Sequence, residues 1–416
     1  MQGNSDFCTV KLHVQDNNNT CGLDANGGGP SQRINISGNV FQSNMMPMED
    51  IDIQLNADLP EFPLSKSTNL DGNFVFSNLA KDNDYIVNPI LNKDHDNGVS
   101  TLDLVLIQRH ILGIEFLNSP YKVIASDVTN DMKVNTLDLV ELRKVILGVQ
   151  DEFSNNNSWR FAETSQTMDP KFPFPFIEKM KMSKLDYSIG GIDFIGVKVG
   201  DVNESVKMNA KSNEVDTRSV TSLSQNKITG KAGEIVEVTI GSEEIQKLFG
   251  WQMSLYLPAE IGSFEDIYSN TLRLGEDNVA WNQSDAGILN ISWNSQNETD
   301  LVSDAITIKV KLNKDINNTQ LLGLLDGGLN PEIYTQEGNT VKAKPFRFTS
   351  SETVLEEFEL FQNVPNPFSG KTTIGFHLPQ ESDVTITVYD VTGKVLLTQS
   401  AFYLSLIHIS EPTRPY

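Results

Sequence analysis

The chain has 416 residues, and 55 acidic against 32 basic side chains give it a net charge of −23. This length allows several domains. The charge argues against nucleic acid as a partner, since no basic stripe is available to displace counterions from phosphates, and also against an anionic membrane surface. No apolar run approaches the roughly 20 residues of a membrane span.

The first 22 residues are predicted to be one final strand of an upstream domain. Their stretch CTVKLHVQDNNNTC contains both cysteines, Cys8 and Cys21, and it resembles the last strand of immunoglobulin-like repeats in large secreted bacterial proteins. In a secreted chain we expect these cysteines to form a disulfide, and two free thiols are the alternative. No signal-peptide pattern begins the sequence, so we expect a fragment of a longer protein.

After a glycine-rich linker at residues 23–32, residues 33–90 contain four short alternating runs separated by polar turns. This pattern predicts a small antiparallel β-sandwich. The runs SGNVF, IDIQL and GNFVFSNL resemble Cna-B and carboxypeptidase-regulatory-like modules, which implies a spacer role.

Residues 91–149 contain two related units, each an oxygen-rich loop followed by an amphipathic helix. A twelve-residue calcium loop supplies ligands from positions 1, 3, 5, 7, 9 and 12. In the first loop these positions are Asn92, Asp94, Asp96, Gly98, Ser100 and Asp103. In the second they are Asp127, Thr129, Asp131, Lys133, Asn135 and Asp138. We therefore predict Ca²⁺ binding by at least one loop; two solvated acidic turns without metal are the alternative.

The helices TLDLVLIQRHILG and TLDLVELRKVILG repeat together with their loops, and this duplication resembles the dockerin type I fold. The resemblance implies that the helices bind a cohesin-like domain or another surface protein. The implied contacts are Thr101, Gln108 and Arg109 in the first unit, and Thr136, Arg143 and Lys144 in the second.

Two features depart from the usual loop. Position 6, normally glycine, is Asn97 in the first loop and Met132 in the second, and methionine does not readily adopt a left-handed conformation. Further along, GDVNES at residues 200–205 imitates the start of a third loop, but the remaining positions do not follow. We expect Asp201 and Asn203 to form a turn.

Residues 150–205 are predicted to be an irregular extension packing on the dockerin-like module, and residues 206–226 a linker. Alternating runs at residues 227–349, including WQMSLYL and ILNISW, predict a second, larger sandwich that resembles cohesins and related carbohydrate-binding domains. A polysaccharide is thus a possible ligand. The alternation nevertheless places Trp251 and Trp293 on apolar faces, which favours a core position over sugar stacking.

After a linker at residues 350–359, the series NVPNPF, TTIGFHLP and VTITVYDVTGKVL at residues 360–400 resembles the C-terminal sorting domain of the Bacteroidetes type IX secretion system. This implies export by that machinery to the outer cell surface or beyond. Residues 401–416 resemble translated sequencing-adaptor read-through, and we expect them to be a non-native tail.

No GxSxG, HExxH or P-loop motif occurs in the chain. The sequence therefore predicts a mainly β, multidomain, non-catalytic protein with antiparallel sandwiches flanking a small calcium-stabilised helical module. The alternative is the accessory C-terminal part of a polysaccharide-degrading enzyme.

Overall fold

The fold comes from a computed structural model that describes residues 33–208, 220–242, 244–302, 305–325, 328–338, 340–348, 359–360, 374–377, 382–389, 394–403 and 407–410. These residues are mainly β, as predicted, and they contain three short α-helices, one more than the two that the repeated pattern predicted. Cys8 and Cys21 lie outside the described residues, so the disulfide stays a prediction. No described helix is long and apolar enough to cross a membrane.

The chain divides into two compact units, and the first contains Met1–Ile90, Phe161–Thr167 and Phe176–Gly196. Its described residues, with the adjoining ends of β6 and β8, form eight strands: β1 (Arg33–Gln42), β2 (Asp52–Asn56), β3 (Leu64–Ser67), β4 (Asn73–Ala80), β5 (Asn83–Ile90), β6 (Trp159–Glu163), β7 (Met180–Leu185) and β8 (Phe194–Lys198). They form two four-stranded sheets, in the orders β4-β1-β8-β6 and β3-β2-β5-β7. Alternation places Ile34 and Ile36 of β1 and Tyr85 and Val87 of β5 in the core.

Residues 150–205 differ from the irregular extension that we predicted. They contribute β6, β7 and β8, of which β7 pairs with β5 and β8 pairs in parallel with β1. Every residue of β8 is buried. A strand buried on both faces has no hydrophobic alternation, and this explains why the sequence pattern did not reveal it.

The second unit contains Leu91–Arg160, Met168–Pro175 and Val197–Tyr416. Its helices are α1 (Thr101–Ile111), α2 (Pro120–Ser126) and α3 (Thr136–Ile146). Helices α1 and α3 have the boundaries that their sequences favour: Asp103 and Asp138 accept backbone hydrogen bonds at the two N-termini. Gly113 and Gly148 follow the helices in left-handed conformation, with φ of 68° and 67°.

A larger sandwich follows in the same unit. Its strands are β9 (Thr221–Gln225), β10 (Ile228–Gly230), β11 (Ile235–Gly241), β12 (Leu248–Tyr256), β13 (Gly262–Tyr268), β14 (Val279–Ala280), β15 (Ile288–Thr299), β16 (Ile306–Leu312), β17 (Ile316–Thr319), β18 (Gly323–Leu324), β19 (Glu332–Glu337) and β20 (Thr340–Phe348). One side has the order β13-β16-β11-β9 and the other β20-β19-β12-β15-β14; β9 and β20 pair in parallel and join them. Trp251, Trp293 and Ile308 are buried in the core of this sandwich.

Five further strands follow: β21 (Glu359–Leu360), β22 (Ile374–His377), β23 (Ser382–Tyr389), β24 (Val395–Tyr403) and β25 (Ile407–Ser410). Strand β22 pairs with β21 and β25, and β23 pairs with β24. Strand β25 falls within the residues that we expected to be a non-native tail.

Candidate functional site: cation loops and docking helix

The second loop folds as one continuous turn around its first and last carboxylates. Asp127 Oδ1 accepts the backbone N–H of Asp131 at 2.9 Å, and Asp127 Oδ2 accepts that of Met132 at 3.2 Å. Asp138 Oδ1 accepts both the N–H and the hydroxyl of Thr129, each at 2.9 Å. The loop thus brings positions 1, 3 and 12 together, as its spacing predicts.

Burial dominates the electrostatics of this loop. Asp127 and Asp138 are fully buried. Burial raises the pKa of Asp127 to about 6, although the Asp131 N–H and the Arg160 guanidinium oppose the rise. Burial also raises the pKa of Asp138, against the hydrogen bonds from Thr129. Two buried carboxylates side by side favour a bound cation, because a cation offsets both their desolvation and their repulsion.

The oxygen donors of the second loop fit a hard cation such as Ca²⁺. Its donors are the two buried carboxylates, the exposed carboxylate of Asp131 and three neutral oxygens. The neutral oxygens are the Thr129 hydroxyl, the Asn135 amide oxygen and the Lys133 carbonyl. Within the described ranges, no cluster of three or more His, Cys, Asp or Glu side chains is placed to hold a metal ion. Neutral oxygens would therefore supply a large share of any coordination.

The first loop does not close in the predicted way. Asn92 Oδ1 accepts the N–H of Ser158 at 2.8 Å, and Asp94 and Asp96 are exposed. Asp103 Oδ1 accepts the N–H groups of Val202 and Asn203, at 2.9 and 3.1 Å.

Of the six residues predicted for the first loop, Ser100 and Asp103 remain together, since the Ser100 N–H donates to Asp103 Oδ2 at 2.9 Å. Gly98, the predicted carbonyl donor, accepts the Ser205 hydroxyl at 2.9 Å. Residues 201–206 therefore lie where Asn92, Asp94 and Asp96 were predicted. Within GDVNES, Asp201 accepts the N–H groups of Ser205 and Val206, so the segment forms a turn, and this turn packs against the first loop.

Helix α1 lies against the larger sandwich of the same compact unit. The Thr101 N–H donates to Gln252 Oε1 at 2.7 Å, and the Thr101 hydroxyl lies 2.6 Å from Ser292 Oγ. Thr101 and Ser292 are fully buried and Gln252 is nearly so. These polar groups satisfy one another where water is excluded, which buried polar groups require.

A second polar group joins both helices to strand β15. Asn294 Nδ2 donates to Gln108 Oε1 of α1 at 2.9 Å, and Asn294 Oδ1 accepts from Arg143 of α3. Arg143 also forms an ion pair with Asp277. One asparagine therefore fixes both helices on one strand.

Apolar and cation–π contacts complete the surface between α1 and the sandwich. Val105 belongs to a buried cluster with Phe249, Tyr334 and Val341 of the sandwich. The Arg109 guanidinium lies 5.3 Å from the centre of the Phe249 ring. Leu102 packs on the edge of the same cluster. The surface thus has an apolar centre with hydrogen-bonded polar groups beside it.

The C-terminal end of α3 receives two donors from the sandwich. Asn290 Nδ2 donates to the Leu147 carbonyl at 3.0 Å, and Asn282 Nδ2 donates to that of Gly148 at 2.8 Å. The last carbonyls of a helix have no partner within it, so these side chains act as caps supplied from another element.

Four of the six predicted contact residues, Thr101, Gln108, Arg109 and Arg143, lie against the sandwich. Thr136 is exposed, and the Lys144 ammonium pairs with Glu141 of its own helix. The sequence pattern did not reveal the sandwich side of this surface, since Gln252, Ser292 and Asn294 alternate like ordinary solvent-facing strand residues.

Two tryptophans of the larger sandwich, Trp251 and Trp293, are too buried to bind a sugar. Trp251 and Trp293 are 2% and 3% exposed, as the alternation predicted, whereas Trp281 is 38% exposed. A buried ring cannot stack on a pyranose.

Residues 93–157 match the family model of the dockerin type I domain. The dockerin module therefore contains α1, α2, α3 and the second loop, whereas residues 201–206 lie outside the match. Dockerin type I domains generally bind calcium, and they bind cohesins.

Residues 364–407 match the family model of the secretion system C-terminal sorting domain. The protein is therefore directed to the cell surface or the exterior, as the sequence predicted.

The chain is also similar to solved structures of cohesins and of a pilin. The seventh ScaB type I cohesin of Pseudobacteroides cellulosolvens is 15% identical over 31% of this chain and 86% of its own, with a TM-score of 0.24. The second type II cohesin module from the ScaA scaffoldin of Acetivibrio cellulolyticus is 14% identical over 32% and 95%, with a TM-score of 0.24. The major pilin subunit BcpA of Bacillus cereus is 8% identical over 92% and 85%, with a TM-score of 0.20. No curated protein matches the chain.

Proposed function

We propose that this protein is a non-catalytic, secreted assembly protein whose dockerin module docks on the β-sandwich of its own chain. The observation that carries the proposal is the buried pairing of Thr101 with Gln252 and Ser292. Such a pairing is costly to separate, because each partner would have to recover its hydrogen bonds from water.

Charge complementarity supports the same assignment. Arg143 pairs with Asp277 across the surface, and the Arg109 guanidinium covers the Phe249 ring. The helices contribute the positive charges and the sandwich contributes a carboxylate and an aromatic face. Such an arrangement favours one orientation of the two modules over others.

Calcium has a supporting role in this proposal. The second loop positions the start of α3, because Asp138 accepts hydrogen bonds both from the loop and from the helix N-terminus. A cation bound by Asp127 and Asp138 would bind the folded module and not the unfolded chain, so it would stabilise the helix that carries Arg143.

Cleavage between the two modules tests the docking. A specific protease site inserted within residues 209–219 allows the complete chain to be folded first and then cut. We expect the two halves to elute together in size-exclusion chromatography at micromolar concentration, since the surface between them is already formed. Separation of the wild-type halves would contradict the proposal.

Two matched variants identify the surface. In the cut protein, Thr101→Val should weaken the association by about 1–3 kcal/mol, because it leaves Ser292 without its buried partner. Thr136→Val makes the same change at the exposed, equivalent position of α3 and should have no effect. Equal behaviour of both variants in titration calorimetry of the separated halves would show that α1 is not the docking element.

A further inference from the structure

The hydrogen-bond pattern of the second loop can be compared with the surroundings of Asp103. The loop's first residue, Asp127, accepts the N–H groups of the residues four and five positions later. Its last residue, Asp138, accepts the N–H of the third residue, Thr129. The fourth residue, Asn130, is left-handed with φ of 59°.

The same pattern recurs around Asp103, but two separate segments form it. Asp201 Oδ1 accepts the N–H of Ser205 at 3.0 Å, and Asp201 Oδ2 accepts that of Val206 at 2.9 Å. Asp103 Oδ1 accepts the N–H of Asn203, the third residue counted from Asp201. Glu204, the fourth, is left-handed with φ of 61°. Asp201 thus corresponds to Asp127, and Asp103 corresponds to Asp138.

Two glycines allow the segments to approach this closely. Gly98 has a φ of 82°, and a β-carbon there would lie 2.7 Å from Val206 Cα. Gly200 has a φ of 85°, and a β-carbon there would lie 2.7 Å from a methyl group of Leu142. Larger residues at either position would separate the 201–206 segment from the module.

Residues 201–206 and Asp103 together form what we call the split loop. One of its side-chain oxygens is placed to bind a cation. Asn203 Oδ1 is buried and has no hydrogen-bond partner. It is the side-chain oxygen of the third loop position, from which a calcium loop takes a ligand. Buried oxygens are rarely left unsatisfied, because their desolvation is then uncompensated.

The surrounding charges agree with a cation. Asp103 is 0% exposed and Asp201 is 4% exposed. The buried Lys198 ammonium supplies one positive charge nearby, but its hydrogen bond goes to the carbonyl of His95. Two buried carboxylates are therefore compensated by a single lysine.

We propose that Asp201, Asn203 and Asp103 form a divalent-cation site, completed by the Ser100 hydroxyl and the Gly98 carbonyl. All of these donors are oxygens, which favours Ca²⁺ over softer metals. The site would fasten residues 201–206 to a helix 99 residues away in sequence. It does not depend on the docking of the module to the sandwich.

Equilibrium dialysis of the complete chain against Ca²⁺ tests this site by counting bound ions. We expect the wild type to bind two ions, one in the second loop and one in the split loop. Asn203→Ala and Asp201→Asn should each bind one. Asn203→Ala should fold normally, because the oxygen it removes makes no hydrogen bond, and an unchanged melting temperature in EDTA verifies this.

Asp94→Ala and Asp96→Ala are the matched controls, since they belong to the continuous loop predicted from sequence and are exposed. Both should still bind two ions. The proposal is overturned if these controls lose an ion, or if Asn203→Ala and Asp201→Asn keep both. It is also overturned if the wild type binds no ion, or a single ion that Asp127→Asn abolishes.

Discussion

At the scale of single residues, the two loops differ in which residues adopt the left-handed backbone conformation, and therefore in the free energy that this conformation costs. Met132 occupies the loop position that normally holds a left-handed glycine, and it is left-handed in the structure, with a φ of 64°. Asn97, the equivalent residue of the first loop, is not left-handed; Asp94 and Gly98 are left-handed instead. The first loop therefore has its left-handed residues at an aspartate and a glycine, which tolerate this conformation better than methionine does.

Replacing Met132 by glycine should stabilise the protein. A left-handed conformation costs a residue with a β-carbon about 1–2 kcal/mol, whereas glycine loses roughly 0.5–1 kcal/mol more entropy on folding. We expect Met132→Gly to raise the unfolding free energy by up to about 1 kcal/mol in urea titrations. Lys133→Gly, at a neighbour that is not left-handed, should lower it, and an equal loss in both variants would contradict the argument.

Lys198 makes the stability of the protein depend on pH in the alkaline range. Burial lowers its pKa to about 8, against the attraction of Asp201 and Asp96. The charged lysine thus destabilises the fold below this pH, and the cost disappears as pH rises towards the ordinary lysine pKa of roughly 10.4.

Urea unfolding in EDTA between pH 7 and pH 10, compared with Lys198→Met, measures this effect. The stability of the wild type relative to the variant should rise by about 3 kcal/mol when the pH passes from below 8 to above 10. Lys93→Met, at an exposed lysine, is the control and should give a difference that does not change with pH. A flat difference for Lys198→Met would refute the assignment.

At the scale of elements, helices α1 and α3 have nearly the same sequence but different surroundings. Both have a loop aspartate at the N-terminus and a left-handed glycine after the C-terminus, and local sequence predicts these features. Leu137 of α3 is 61% exposed, whereas Leu102 at the equivalent position packs beside Phe249. Nothing in the repeated helix sequences predicts which copy meets the sandwich.

Removing calcium should destabilise the dockerin module. We expect EDTA to lower the melting temperature of the complete chain by several degrees, since a ligand at 100 times its Kd contributes about 2.7 kcal/mol. Restoring Ca²⁺ should reverse the change, and Mg²⁺ should be less effective because it requires a smaller octahedral site. The complete chain is required, because a fragment of residues 85–205 would lack β1, with which β8 pairs, and β2, with which β5 pairs.

The readout is differential scanning calorimetry with and without chelator. Identical thermograms would show that neither loop binds the metal.

At the scale of the whole molecule, the sequence alone predicted a mainly β chain with a duplicated helical module and a C-terminal sorting segment. Each of these predictions rests on a signal contained within a short stretch. Alternation marks a half-buried strand, a 3.6-residue period marks α1 and α3, and the ordered prolines and strands of the last segment mark export. Such patterns can be recognised from sequence because residues close together in the chain determine them.

Only the tertiary structure decided which distant segments meet. Strand β8 has no alternation because it is buried on both faces, so its place beside β1 could not be predicted from local pattern. The pairing of Asp103 with residues 202–203 joins segments 99 residues apart in sequence. GDVNES resembles the start of a calcium loop, but nothing in it identifies Asp103 as its partner. Thr101 and Thr136 have the same local sequence, yet one is buried against Ser292 and the other is exposed, because burial depends on what packs against a residue.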